Sequence, residues 1–116
     1  MVKYGYARVS TYGQDLEVQI EALEREGCNK IYSEHYTGTK TDRPEFQKLL
    51  NELEKGDMLV VTKLDRIARS AMQGSGLVKD LIDRWISVNI INMGIMDNRP
   101  TSKLIRNIFF SFAEFE

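Results

Sequence analysis

Apolar positions along the chain switch repeatedly between unbroken runs and helical spacing. Val2 to Val9 is a mostly apolar run of Val, Tyr and Ala, which predicts a strand. Leu16, Ile20 and Leu23 then recur at helical spacing, and Gly27 is a natural stop. Lys30 to Ser33 reads as a short strand, and the polar stretch 35–43, HYTGTKTDR, as a loop. Pro44 suits the first turn of a helix with Phe46, Leu49, Leu50 and Leu53 on one face, stopping at Gly56. Met58 to Thr62 is continuous and apolar, the pattern of a buried parallel strand. Lys63 to Arg69 reads as a charged loop, and Ser70 as the cap of a helix whose buried side carries Leu77, Leu81 and Trp85. Gly74 and Gly76 weaken the start of that helix. Val88 to Ile91 and Met93 to Met96 follow as strands, and Pro100 with Thr101 opens a last helix.

This alternation predicts an α/β fold, with a mainly parallel central sheet of four to five strands flanked by helices. Residues 1–100 form the predicted globular domain. Residues 101–116 begin a long C-terminal helix whose apolar positions, Leu104 to Phe115, nearly encircle it. One packing face needs fewer. The expectation is a helix that is cut short at Glu116 and packs against a partner subunit.

Composition narrows the classes. Hydrophobic residues make up 42%, enough for one core. There is no apolar run of about 18 residues for a membrane span. The first residues turn polar too early for a secretory signal. One cysteine, Cys28, excludes an intrachain disulfide and any multi-cysteine metal site, and is expected in the core. Together these point to the cytosol. Net charge is −1, from 16 basic and 17 acidic residues, which argues against a self-sufficient DNA binder. It permits a domain that handles one phosphate and is held on DNA by another part.

In a parallel sheet the site lies beyond the C-terminal strand ends. The first such loop follows Tyr6-Ala7-Arg8-Val9-Ser10, where strand alternation puts Tyr6, Arg8 and Ser10 on one side. Position alone favours Ser10 as a helix cap. Arg8 shifts the reading, because an arginine inside a strand is costly to bury without an anion. Arg66 and Arg69, three apart, point the same way from one helical turn, and Asp65 can pair with an arginine. A solvated helix start is the plainer reading of that pair, yet positive charge there opposes the macrodipole unless an anion is shared. Lys40 and Arg43 add to the second loop. Residues 8–10, 37–43 and 63–69 hold six basic and two acidic residues, leaving ten against fifteen elsewhere. Planar arginines match the oxygens of a phosphorane. His35, the only histidine, gives neither a metal site nor a general base for Ser10, and there is no Walker loop. No metal and no cofactor is expected.

These residues resemble the serine recombinases, the resolvase and invertase family. Tyr6–Thr11 (YARVST) with Gln14, Gly56–Arg69 (GDMLVVTKLDRIAR), Asp42–Pro44 (DRP) and the terminal AEFE look like that family's signatures, in order, over nearly the whole chain. The resemblance implies that Ser10 is a nucleophile forming a 5′-phosphoserine link and freeing a 3′-hydroxyl. It implies that Arg8, Arg66 and Arg69 hold the scissile phosphate and that Asp65 orients them. Tyr6, Gln14, Gln19, Arg43 and Lys63 resemble supporting residues, with Lys40 and Lys63 expected on DNA phosphate. Glu116 matches an acidic position on the long helix. The implied partners are a double-stranded DNA crossover site and further copies of the chain, as dimers assembling to tetramers. A C-terminal DNA-binding domain is expected to be missing from this chain, and the fragment alone to be inert on DNA. Three alternatives stay open: a transposase of the same superfamily, a non-catalytic assembly module with the same fold, and a small phosphatase-like enzyme.

Overall fold

A computed structural model of the chain describes residues 1–9, 14–35, 43–68 and 70–100. Their elements run β1 (Lys3–Val9), α1 (Gln14–Arg25), β2 (Lys30–His35), α2 (Pro44–Glu52), β3 (Met58–Val61), a 3-10 turn (Leu64–Arg66), α3 (Ala71–Asp83), β4 (Ser87–Ile90) and β5 (Gly94–Met96). The sheet order is β2-β1-β3-β4-β5. The first four strands are parallel, and β5 returns antiparallel to β4.

Period-two alternation splits the core into two layers. Tyr4, Tyr6, Leu59, Val61, Val88 and Ile90 face α2 and α3, where they meet Phe46, Leu49, Val78, Leu81 and Ile82. Ala7, Met58 and Val60 face α1 and its Leu23, with Leu16, Ile20 and Ile31 alongside. Helices therefore cover both faces, which is why β3 can be buried at all four residues.

Several local expectations change. α2 ends at Glu52, and Gly56 belongs to the turn after it. β2 runs on to His35, so His35 ends a strand instead of opening the loop. The charged stretch after β3 holds a 3-10 turn. Ser70 caps α3 as expected, its hydroxyl accepting from Gln73 N at 3.1 Å. Gly74 serves packing: a Cβ there would lie 3.0 Å from Leu64 Cδ1, so the 3-10 turn and α3 meet closely because that side chain is absent. Trp85 was placed on the buried side of α3 but is 60% exposed. The helix ends at Asp83 with Arg84 as its cap, and a positive φ of 62° at Trp85 swings its side chain off the helical face. Cys28 is half-buried, packed beside the α1 layer instead of inside it. The predicted last helix, 101–116, lies outside the described residues.

Candidate active site

The chain runs from β1 out to the edge strand β2 and then back past β1 to β3, so the strand order reverses between β1 and β3. A crevice opens at the C-terminal ends of such strands. Here β1 pairs with β3 only from Lys3 to Gly5, while its ladder with β2 continues to Val9. Beyond Gly5 the tip of β1 has no β3 neighbour. The Gln19 amide takes that place. Its Oε1 accepts from Arg8 N at 3.1 Å, and its Nε2 donates to Arg8 O at 3.1 Å. Gln19 is only 4% exposed, so the two bonds leave neither its donor nor its acceptor stranded.

Three arginines are held at that tip and at the 3-10 turn beside it. Arg8 Nη2 donates to Asp65 O at 2.6 Å. Arg66 Nη1 donates to Arg8 O at 3.2 Å. Arg43 Nη1 donates to Ile67 O at 2.6 Å, and its guanidinium carbon sits 4.8 Å from the Phe46 ring centroid. Each arginine is thus held by a main-chain carbonyl, which fixes its direction. The carboxylate of Asp65 is 72% exposed and 3.8 Å from Arg66 Nε, outside hydrogen-bond reach. Asp65 contacts Arg8 through its backbone oxygen.

Beneath the arginines lies a residue that sequence reasoning missed. Glu34, two places beyond Tyr32 on β2, accepts the Tyr6 hydroxyl at 2.5 Å and also the Glu45 and Phe46 amides at 3.1 and 3.2 Å. It caps α2 from another element, since the cap residue Arg43 makes no side-chain cap of its own. Burial, then the bond to Glu34, pushes the Tyr6 hydroxyl above the ordinary phenol range, so it stays a donor. One signal was available: an acid at the end of an edge strand, shortly before a helix opening on Pro44. Stopping β2 at Ser33 hid it.

Of the expected site residues, Tyr6, Arg8, Gln19, Arg43, Asp65 and Arg66 gather here. Lys63 lines a neighbouring cavity of about 250 Å³ together with Gln19, Arg66 and Ile91. Ser10, Lys40, Arg69 and Glu116 lie outside the described residues, as does the side chain of Gln14.

Residues 3–116 match the family model described as Resolvase, N terminal domain. The chain is 43% identical over 120 residues to the Transposon Tn917 resolvase of Enterococcus faecalis, covering 97% of this chain and 61% of that relative. It is 38% identical over 112 residues to the serine recombinase gin of Escherichia phage Mu, covering 97% and 58%. The solved N-terminal catalytic domain of TP901-1 integrase matches with a TM-score of 0.72 at 25% identity, over 97% of this chain and 95% of that one. The chain spans about three fifths of the length of the curated relatives it matches.

Proposed function

Because the chain belongs to the resolvase family of serine recombinases, we propose that it is the catalytic domain of a site-specific DNA recombinase, with Ser10 as nucleophile. The observation that carries this reading is the meeting of Arg8 and Arg66 at the tip of β1, two residues before Ser10 in the chain, with Arg43 held on the Ile67 carbonyl after the 3-10 turn. In the proposed step the Ser10 oxygen attacks a backbone phosphorus. A Ser–O–P bond forms, the bond from phosphorus to the 3′ oxygen breaks, and that oxygen leaves as a 3′-hydroxyl carrying a proton. Charge builds on the equatorial phosphate oxygens, where Arg8, Arg66 and Arg69 donate. The serine ester conserves the energy of the broken bond, so the reverse attack by a 3′-hydroxyl rejoins DNA, and the reading calls for no metal or other cofactor. Asp65, Tyr6, Gln14, Gln19 and Arg43 hold these groups in place, and Lys40 and Lys63 meet flanking phosphates.

The substrate is a double-stranded crossover site, bound by dimers that assemble to tetramers. The greater length of the relatives leaves room for a DNA-targeting domain. Relatives from bacteria, a transposon and a phage support a cytoplasmic setting. Among the described residues no helix is long and apolar enough to cross a membrane.

The test is a covalent adduct. The chain is joined after Glu116 to a DNA-binding domain of known site and given duplexes with that site flanking varied crossover sequences. The expected product is a protein–DNA species stable to denaturant, with a free 3′-hydroxyl, formed equally well in chelator. Ser10→Ala should abolish it while the thermal transition stays unchanged. An adduct that persists in Ser10→Ala, or one that needs a divalent ion, would overturn the reading.

A further inference from the structure

α1 and α3 end in the same hydrogen-bonded turn, but with different residues at its key position. After α1, Gly27 N donates to Glu24 O at 2.9 Å and Cys28 N to Leu23 O at 3.2 Å, with Gly27 at φ 82°. After α3, Trp85 N donates to Ile82 O and Ile86 N to Leu81 O, both at 2.9 Å, with Trp85 at φ 62°. This is the left-handed closing position of a Schellman turn, where glycine is the usual residue because a Cβ is strained there.

The indole does not offset that strain within the chain. It is 60% exposed, and its one ring contact among the described residues is Lys55 Nζ, 5.7 Å from the centroid. The indole N–H meets no acceptor among the described residues. The hydrogen bond from Gly56 N to Trp85 O, 2.8 Å, uses backbone that any residue supplies. Strain without a return inside the fold points to something outside it that uses the side chain.

Trp85 forms one wall of a cavity of about 340 Å³, with Ile86, Ser87, Asp97, Asn98 and Arg99 as the others. Small-ligand sites begin at roughly 300 Å³. The polar atoms of this lining divide by role. Asp97 is engaged: its Oδ1 accepts from Arg99 N at 2.9 Å and its Oδ2 from Arg99 Nε at 2.8 Å. Asn98 Nδ2 donates to Ile82 O at 3.0 Å, which ties this segment to the end of α3. The Nη1 and Nη2 atoms of Arg99 donate to no described residue, and neither do Trp85 Nε1 and the Ser87 hydroxyl. The lining side chains therefore hold more unengaged donors than acceptors, next to an aromatic ring.

We propose that this cavity binds a small ligand made of a planar aromatic ring joined to a carboxylate or phosphate group. The ring packs on the Trp85 indole, since paired aromatics gain more than their buried area alone. The oxyanion takes Nη1 and Nη2 of Arg99, a planar pair that carboxylate and phosphate both match with two parallel hydrogen bonds. Asp97 is the positioning residue: it holds Arg99 through N and Nε and leaves the Nη pair for the ligand. The site stands at the start of β4, away from the arginines where the strands finish, so it is separate from the proposed catalytic centre.

Trp85 is the only tryptophan, so its emission reports on the cavity directly. The chain is titrated with benzoate and with adenosine 5′-monophosphate, which join a ring to either oxyanion, from about 10 μM to about 10 mM. Benzyl alcohol and ribose 5′-phosphate, each carrying one half of that chemistry, are titrated beside them. The expected result is a saturable change in emission and a raised thermal transition with at least one joined probe, bound about tenfold or more tightly than either half. The tighter of the two joined probes identifies the oxyanion. Arg99→Gln, which leaves the turn untouched, should weaken that binding about tenfold and leave benzyl alcohol unaffected. Trp85→Gly, followed by calorimetry, should abolish it while the thermal transition of the free chain holds or rises. Three results would overturn the proposal: no saturable response to either joined probe, joined probes bound no more tightly than their halves, or an affinity that Arg99→Gln leaves unchanged.

Discussion

The two ends of the parallel sheet solve opposite problems. Where the strands finish, cations are concentrated: Arg8, Arg43 and Arg66 are tied to the carbonyls of Asp65, Ile67 and Arg8. Where the strands begin, the chain is closed by buried and balanced polar groups. Asp57, 8% exposed, accepts from Val2 N at 3.0 Å and from Glu54 N at 2.9 Å, joining the start of β1 to the turn before β3. One end gathers arginines. The other consumes its charge in holding the scaffold. A substitution should therefore reveal its end by what it damages, activity at the first and stability at the second.

The largest contrast is expected for Arg8→Lys and Arg66→Lys in the DNA-targeted protein. A lysine keeps the charge but loses the planar fork, and loss of one such donor costs about 100- to 1000-fold in rate. Adduct formation per folded molecule should fall by that order while the denaturation midpoint barely moves. Near-normal rates in both variants would erase the distinction on the arginine side.

Asp57→Ala probes the other end. It removes the acceptor of two partly buried amides, and hydrogen bonds to a charged group are worth about 1.5–3 kcal/mol each. Urea denaturation should show a loss of about 3 kcal/mol or more, with cleavage per folded molecule unchanged. A rate loss larger than the stability loss would mean that the two ends are coupled through β1.

Gln19→Ala tests the boundary between them. It removes the acceptor of Arg8 N and one of the two donors to Arg8 O, so both stability and rate should drop, by about 1–3 kcal/mol in stability. Gln19→Glu keeps the acceptor but loses the donor to Arg8 O, and should recover only part of either.

The smallest effect concerns Cys28, beside the start of the sheet. Burial pushes its thiol up to about 11, with Lys3 opposing and Glu26 adding. The protonated form is thus favoured in the fold. Its contribution is intact below the ordinary thiol value, near 8.5, and is lost as pH rises from there toward 11. The difference in urea midpoint between wild type and Cys28→Ala should shrink between pH 8 and 11. A difference independent of pH would remove the thiol from that account.

The sheet and its covering helices were legible because each rests on a local period. Met58 to Val61 is apolar throughout since both faces are covered, and Phe46 and Leu49 mark the inward side of α2. What escaped depends on tertiary reach. Trp85 follows Leu81 at helical spacing, yet the helix has already ended, and no period shows a left-handed turn at a non-glycine residue. Glu34 caps a helix that starts ten residues later. Asp65 acts through a carbonyl that every residue owns, so the side chain that drew attention is not the group that touches Arg8. Arg8, Arg43 and Arg66 were legible as chemistry, but the carbonyls that aim them were not.

The Gln19 clamp has a consequence in time. At Arg8 the β3 side of the sheet has ended, and a side chain from α1 occupies the place of the missing strand. The amide proton of Arg8 should therefore exchange with deuterated solvent on the schedule of α1 leaving the sheet, while that of Leu59, inside the ladder, waits for global opening. The last residues of β1, which carry the chain toward Ser10, are then expected to open and close together with the first helix.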